Sequence, residues 1–325
     1  MILVLFILTT VSLEQCLGDD KASKGELEQY LASLGYEGLA FKSTEKNQLL
    51  LEGKIGEQKW VLFVDTGWGF TTLSERAARG LKRLGEVGGS LEDDHFGTLT
   101  DPSIVIMEKL AIGKAQFMNQ PARVEALQMD YINTPYDGVL GCDFYWRNFC
   151  VIDCYGRKLY VRSTKPSEEQ AQALAETLRR SGWLEVPTKA NHHLMIDVEI
   201  NAHPVQLLVD TGGGVSLLDE GQRKPLELSS YSEKKTGTTI PQDVNALVIG
   251  TGKTGAHQLR VVTLKTLQIG SRRLTNVHLG IGNLKAWGEI DHKELTGVIG
   301  EDLLEPQGAL IDFSNDKVWF RPRKH

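Results

Sequence analysis

The chain has 325 residues, with 36 Lys plus Arg against 42 Asp plus Glu and a formal charge of −6 at pH 7. That balance points away from a nucleic-acid partner. With 41% hydrophobic residues, 24% charged and only 10 Pro, the composition excludes collagenous, low-complexity, disordered and polytopic membrane classes, and at about 150 residues per domain the length asks for two domains.

Residues 1–13, MILVLFILTTVSL, are too few to cross about 30 Å of hydrocarbon as a helix but suit the apolar region of a signal peptide. No Lys or Arg follows Met1, so the basic leader is missing, while Cys16 and Gly18 permit cleavage before Asp19. Residues 1–18 are therefore expected to be a signal peptide, and the mature protein to be exported, secreted or periplasmic, without a stable membrane span. The alternative is a buried N-terminal strand or helix. Residues 19–46 form an N-terminal segment with a short helix around 26–34, and whether this segment is a removable pro-region is left open.

Beyond it the chain repeats itself. Residues 49–67, LLLEGKIGEQKWVLFVDTG, align without a gap to residues 194–212, LMIDVEINAHPVQLLVDTG, at an offset of 145. Gly138-Val139-Leu140-Gly141-Cys142-Asp143 matches Gly297-Val298-Ile299-Gly300-Glu301-Asp302 at an offset of 159, which also carries Val151-Ile152-Asp153 onto Leu310-Ile311-Asp312. The segments alternate or run apolar over short stretches bounded by Gly, Asn or Asp, which is the pattern of strands. The expectation is an all-β protein of two pseudo-symmetric lobes, residues 47–163 and 191–325. Between them, residues 164–190 read as a helical linker: Ser167 and Gln170 fit a capping box, acids come early, arginines late, and Gly182 ends the run.

After the signal, Cys142, Cys150 and Cys154 remain, an odd count that allows at most one bridge. Cys150 and Cys154 on one strand would lie about 13 Å apart, out of disulfide reach, so core packing is their expected role. No CxxC or HExxH spacing appears, and no metal or cofactor is called for. His192-His193, just before a strand, is expected at the surface. Trp60, Trp183, Trp287 and Trp319 read as core or interface aromatics.

Asp65-Thr66-Gly67 and Asp210-Thr211-Gly212 each end a nearly apolar run, where a carboxylate is costly without a partner or a task. One Asp-Thr-Gly is expected by chance on the order of a tenth of a time in such a length; two within a duplicated context carry far more weight. Two such loops facing across a pseudo-two-fold axis bring two carboxylates together. The pair then shares a proton, so one carboxylate activates a water while the other donates to a carbonyl, which is amide hydrolysis without a covalent intermediate. Thr66 and Thr211 offer hydroxyls to the opposite loop's backbone, and Gly67 and Gly212 allow tight turns with free amide donors.

The doubled pattern, with Val139-Leu140-Gly141 and Val298-Ile299-Gly300 following, resembles the retropepsin-like (retroviral-type) aspartic peptidases, here as two lobes in one chain. The resemblance implies a closed β fold per lobe, a catalytic dyad of Asp65 and Asp210 supported by Thr66, Gly67, Thr211 and Gly212, a peptide or protein substrate, and a flap over the cleft. The flaps would lie near 85–107 and 236–262. It also implies a monomer acting as an intramolecular pseudo-dimer. Two positions depart from the pattern: Trp68 stands where the family has Ala or Ser, and either lines a substrate pocket or crowds the dyad, while Gly213 stands at the matching place.

Other readings are a non-catalytic peptide-binding module of the same fold, and aspartates that merely cap strand-end turns. Asp143 and Asp302 are expected to be helix N-caps, and Asp153 and Asp312 to serve hairpins. Gly250-Thr251-Gly252-Lys253-Thr254 looks like the end of a phosphate loop, but the required first glycine falls at Leu247 and a strand follows.

Overall fold

Strand makes up 48% of the structure and helix 17%, so the protein is mostly β, and its strands close into two six-stranded barrels. This is a computed structural model that describes residues 21–323, apart from 45–47, 87–89, 94–96, 128–135, 163, 191, 231–244, 250–255 and 285–294. The signal-peptide assignment, Trp287 and the glycine-rich tip at 250–254 lie outside the described residues.

The first barrel runs from Leu49–Ile55 to Gln58–Val64, Gly138–Leu140, Thr72–Ser74, Ala115–Glu125 and Ile104–Ile112, and closes where Gly53 pairs with Ile112. The second runs from Leu194–Ile200 to His203–Val209, Gly297–Ile299, Leu217–Asp219, Arg272–Gly282 and Ala256–Ile269, and closes where Ile200 pairs with Leu267. Sequence alternation sets the faces: in Leu49–Ile55, Leu49 and Leu51 point into the core while Glu52 and Lys54 stay exposed. The opening hairpins turn differently. Gly56 has φ 56° in the first, whereas Asn201 and Ala202 have φ 50° and 67° in the second, the left-handed pair that a two-residue hairpin loop demands.

A third layer joins the halves. Its antiparallel strands run Glu37–Ala40, Lys158–Val161, Val151–Asp153, Ala309–Asp312, Lys317–Phe320 and Leu184–Ala190, with Ile152 against Ile311 where the two halves meet. Residues 184–190, expected within the helical linker, are thus a strand, because Leu184 and Val186 find Phe320 and Val318 as cross-strand partners. The helix of that stretch, Glu168–Arg180, starts with the full capping box: Gln170 N–H donates to Ser167 Oγ at 3.2 Å and Ser167 N–H to Gln170 Oε1 at 3.1 Å.

That helix buries Leu174, Ala175 and Leu178 against Leu310 and Trp319. The helix Lys21–Ser33 adds Leu27 and Leu31 to the same cluster, each contributing about 1.5–3 kcal/mol by burial. The described part of the N-terminal segment is therefore built into the joining layer. Among the described residues no helix is long and apolar enough to cross a membrane.

Candidate active site

Strands Gln58–Val64 and His203–Val209 deliver the two aspartates. Each lies hydrogen-bonded beside the short strand of the second motif, Val64 opposite Leu140 and Val209 opposite Ile299. The ladders end at the carboxylate residues: Asp65 N–H donates to Leu140 O at 3.2 Å and Asp210 N–H to Ile299 O at 3.0 Å. Each loop then turns back on its own carboxylate, with Gly67 N–H to Asp65 Oδ1 and Gly213 N–H to Asp210 Oδ1, both at 2.8 Å.

The two loops interlock through their threonines, which are fully buried. Thr66 N–H donates to Thr211 Oγ1 at 3.1 Å and Thr211 N–H to Thr66 Oγ1 at 3.0 Å. Each hydroxyl passes its own proton on, Thr66 Oγ1 to Val209 O at 2.7 Å and Thr211 Oγ1 to Val64 O at 3.1 Å. Both hydroxyls so act as donor and acceptor at once, which leaves no buried polar atom of the pair unpaid for.

The glycines set the approach. A methyl group on Gly212 would sit 2.2 Å from Asp65 Cγ, and one on Gly67 2.6 Å from Asp210 Cγ. Each carboxyl therefore rests on the glycine of the opposite loop, and a side-chain hydrogen bond joins the two. Burial pushes the Asp65 carboxyl well above the usual range, and the Asp210 charge and the shared hydrogen bond push it further. Burial also raises Asp210, against the amides of Gly213, Gly212 and Gly67 and the bond to Asp65. Two carboxyls so placed can share one proton, which would set an acid beside a base.

Behind each loop is a second carboxyl. Thr71 N–H and Oγ1 both donate to Asp143 Oδ1 at 2.6 Å, and Ser216 N–H and Oγ donate to Asp302 Oδ1 at 2.8 and 2.6 Å. The expected N-cap role is thereby corrected: Gly141 and Gly300 are the N-caps and neither has a side-chain cap, while Asp143 and Asp302 sit in the first turn. Their carboxyls bind the neighbouring loop as well as amides of their own first turn, those of Phe144 and Leu303. Burial pushes each up to about 6. Thr71 and Ser216 were not singled out from sequence, although they occupy matching places in the repeat.

Trp68 is half-buried, packs beside Leu50, Phe63, Tyr136 and Val139, and donates its indole N–H to Thr72 Oγ1 at 2.8 Å. His192 is exposed, but His193 is buried, against the expectation for the pair: its ring lies on the turn after Trp68, with Nε2 3.2 Å from where a Gly69 methyl would be. Asp153 and Asp312 accept from Gly156 N–H at 2.7 Å and Ser314 N–H at 2.9 Å, as hairpin residues do. Of the segments expected as flaps, 87–89, 94–96, 236–244 and 250–255 lie outside the described residues; in the rest, Leu91–Asp93 pairs with Gly97–Leu99, and Asn245–Ile249 pairs with the start of Ala256–Ile269. Leu91 and Leu99 rest on Phe70, Leu84, Ile104 and Ile106.

Cys142, Cys150 and Cys154 are free and buried. Among the described residues no group of three His, Cys, Asp or Glu side chains gathers as a metal site. No protein-family model and no curated protein matches the chain.

Proposed function

We propose that the protein is an aspartic endopeptidase of the retropepsin-like kind, with Asp65 and Asp210 as its dyad. One observation carries this reading: each carboxyl rests on the opposite loop's glycine and is hydrogen-bonded to the other. The reciprocal threonine bonds support a pseudo-two-fold relation between lobes 47–163 and 191–325, with 164–190 as their link and one chain sufficing for a complete site. Thr66, Gly67, Thr211 and Gly212 are the dyad's supports, and Trp68 is one wall of the pocket beside the scissile bond. Export by way of residues 1–18 belongs to the same proposal.

The chemistry follows from the shared proton. With it on Asp65, Asp210 is the anion. A water between them loses a proton to Asp210 and its oxygen attacks the peptide carbonyl, while Asp65 donates its proton to the carbonyl oxygen. The tetrahedral diol then collapses. Its C–N bond breaks as the nitrogen takes the proton held on Asp210, and a hydroxyl proton returns to Asp65. No cofactor or covalent intermediate enters.

The test is cleavage of a diverse peptide library from about pH 3 to 8, with Asp65→Asn and Asp210→Asn alongside. Each substitution should remove at least about a thousandfold of the activity while the protein stays folded, because two groups that work as a unit fail together. A wild-type protein that cleaves nothing would favour a peptide-binding module.

A further inference from the structure

The residue after the second-motif glycine differs sharply between the halves. After Gly141 comes Cys142, whose N–H donates to Trp68 O at 2.8 Å and whose thiol donates to Thr66 O at 3.1 Å. After Gly300 comes Glu301, whose N–H donates to Gly213 O at 2.8 Å. A glutamate stands there 1% exposed. Its carboxyl is hydrogen-bonded to the thiol of Cys154, which belongs to the other half, and its Oε1 has no hydrogen-bond partner among the described residues. A buried carboxylate with an unmet oxygen is strongly unfavourable, whereas a buried carboxylic acid is tolerable.

The charges facing it do not reverse that balance. Arg157 opposes burial but is engaged by Glu305 through contacts of 2.7 to 3.0 Å, and Glu305 and Asp210 both disfavour a further negative charge. Burial leads, and pushes Glu301 up to about 8. Two hydrogen bonds connect the backbone that carries this carboxyl to the candidate dyad: Glu301 N–H to Gly213 O, then Gly213 N–H to Asp210 Oδ1 at 2.8 Å. The connection is stiff, since even a methyl group on Gly300 would lie 2.4 Å from Gly213 O. In the other half burial keeps the Cys142 thiol well above its ordinary value, so the Asp65 loop has no matching group that ionises near neutrality.

We propose that Glu301 is a positioning residue for the Asp210 loop: a buried acid that holds Gly213 in place while neutral and loosens it on ionising. Its effect on rate rests on the proteolytic reading above; its effect on stability rests on the fold alone. The sign is fixed by linkage. The folded protein holds this proton more tightly than the unfolded chain, so the stabilisation is complete below the ordinary glutamate value near 4.5 and is lost as pH rises to about 8. Over that window the unfolding constant should grow by up to about tenfold per pH unit from this group.

The experiment compares urea unfolding and peptide cleavage of wild type and Glu301→Gln between about pH 5 and 9. The glutamine keeps the shape and cannot ionise. It should flatten the stability loss, keep cleavage within a few-fold of wild type at the acid end, and retain more activity at the alkaline end. Equal pH slopes in both proteins, or a rate lost equally at every pH, would overturn the proposal. If the glutamine variant does not fold, Cys154→Ala decides: it removes a donor that favours the charged carboxylate, so the stability limb should move to higher pH, and an unmoved limb overturns the proposal. If wild type cleaves nothing, the proteolytic reading fails and the stability slopes still judge Glu301.

Discussion

The Asp65 and Asp210 loops meet through the same bonds but are backed by different residues. Where they touch, threonine answers threonine and each carboxyl lies on the other's glycine. Where they face their own barrels they diverge. Asp65 N–H has a second acceptor in Tyr145 Oη at 3.1 Å, itself donating to Leu140 O at 2.8 Å, whereas the matching residue of the second half is the buried Leu304. Trp68 faces Gly213 in the alignment, and Cys142 faces Glu301. The difference teaches that the contact between loops fixes both partners at once, while the support behind each loop is free to differ and to carry its own pH response or selectivity.

The harshest way to break the shared part is to fill the glycine. Gly212→Ala puts a methyl 2.2 Å from Asp65 Cγ and Gly67→Ala puts one 2.6 Å from Asp210 Cγ. Either must push a carboxyl aside, which should cost on the order of a hundredfold in cleavage and about 1–3 kcal/mol in stability by overpacking, with Gly212→Ala the worse of the two. Urea unfolding and peptide turnover check this; two wild-type-like variants would mean that the carboxyls do not meet as described.

Much of this contact was legible in the sequence, since the doubled Asp-Thr-Gly at the end of a repeated strand pair names the six residues that meet. The mostly β character of each lobe and its opening hairpin followed from alternation and from Gly, Asn and Asp at the turns, whereas the count of six strands per barrel did not. The support was harder to see. Asp143 precedes an apolar helical start and so looks like a cap, yet its partner Thr71 lies 72 residues earlier in the chain; that pairing exists only once the second-motif strand runs beside the first. His193 sits among polar neighbours and reads as surface, and only the fold brings Gly69 over its ring. Leu184–Ala190 contains Pro187, which weakens its strand pattern, but Pro187 sits opposite Lys317 just before the strand gains its second neighbour, where Thr188 pairs with Ile196.

The pH response should belong to the pair. Both folded carboxyls are raised, chiefly by burial. A raised carboxyl stabilises the fold fully below its unfolded value and loses that contribution as pH rises through its folded value, so stability should fall from about pH 4 upward. Asp65→Asn and Asp210→Asn should each remove part of that fall, read as unfolding midpoint against pH. The same sharing predicts that the alkaline limb of kcat/KM lies above the ordinary aspartate value near 4. A fall left unchanged in both variants would show that the pair does not hold the proton.

A finer probe removes one hydroxyl at a time. Thr66→Val and Thr211→Val keep the shape but each leaves an amide donor and a carbonyl acceptor buried without a partner, for about 1–3 kcal/mol apiece. Because both hydroxyls serve the same four-bond knot, the double variant should cost less than the two singles combined, with a coupling of about 0.5–3 kcal/mol. Simple additivity in urea unfolding would mean that each loop is held from behind, by Tyr145 on one side and the Glu301 segment on the other.

The mildest change is expected at Trp68, the place where the loops differ most in bulk. Its indole is half-buried against Leu50, Phe63, Tyr136 and Val139 and tied to Thr72 Oγ1, so one face is held while another remains open. If that open face is a pocket wall, Trp68→Ala should shift discrimination between large and small substrate side chains by about 1–3 kcal/mol. Trp68→Phe, which keeps apolar bulk and loses only the N–H bond to Thr72, should shift it less. A uniform gain in cleavage with Trp68→Ala across all peptides would identify the indole as an obstruction of the cleft. Loss of about 3–5 kcal/mol in stability with selectivity unchanged would place it in the core instead, because a residue that acts only by packing changes unfolding and leaves the choice between substrates alone.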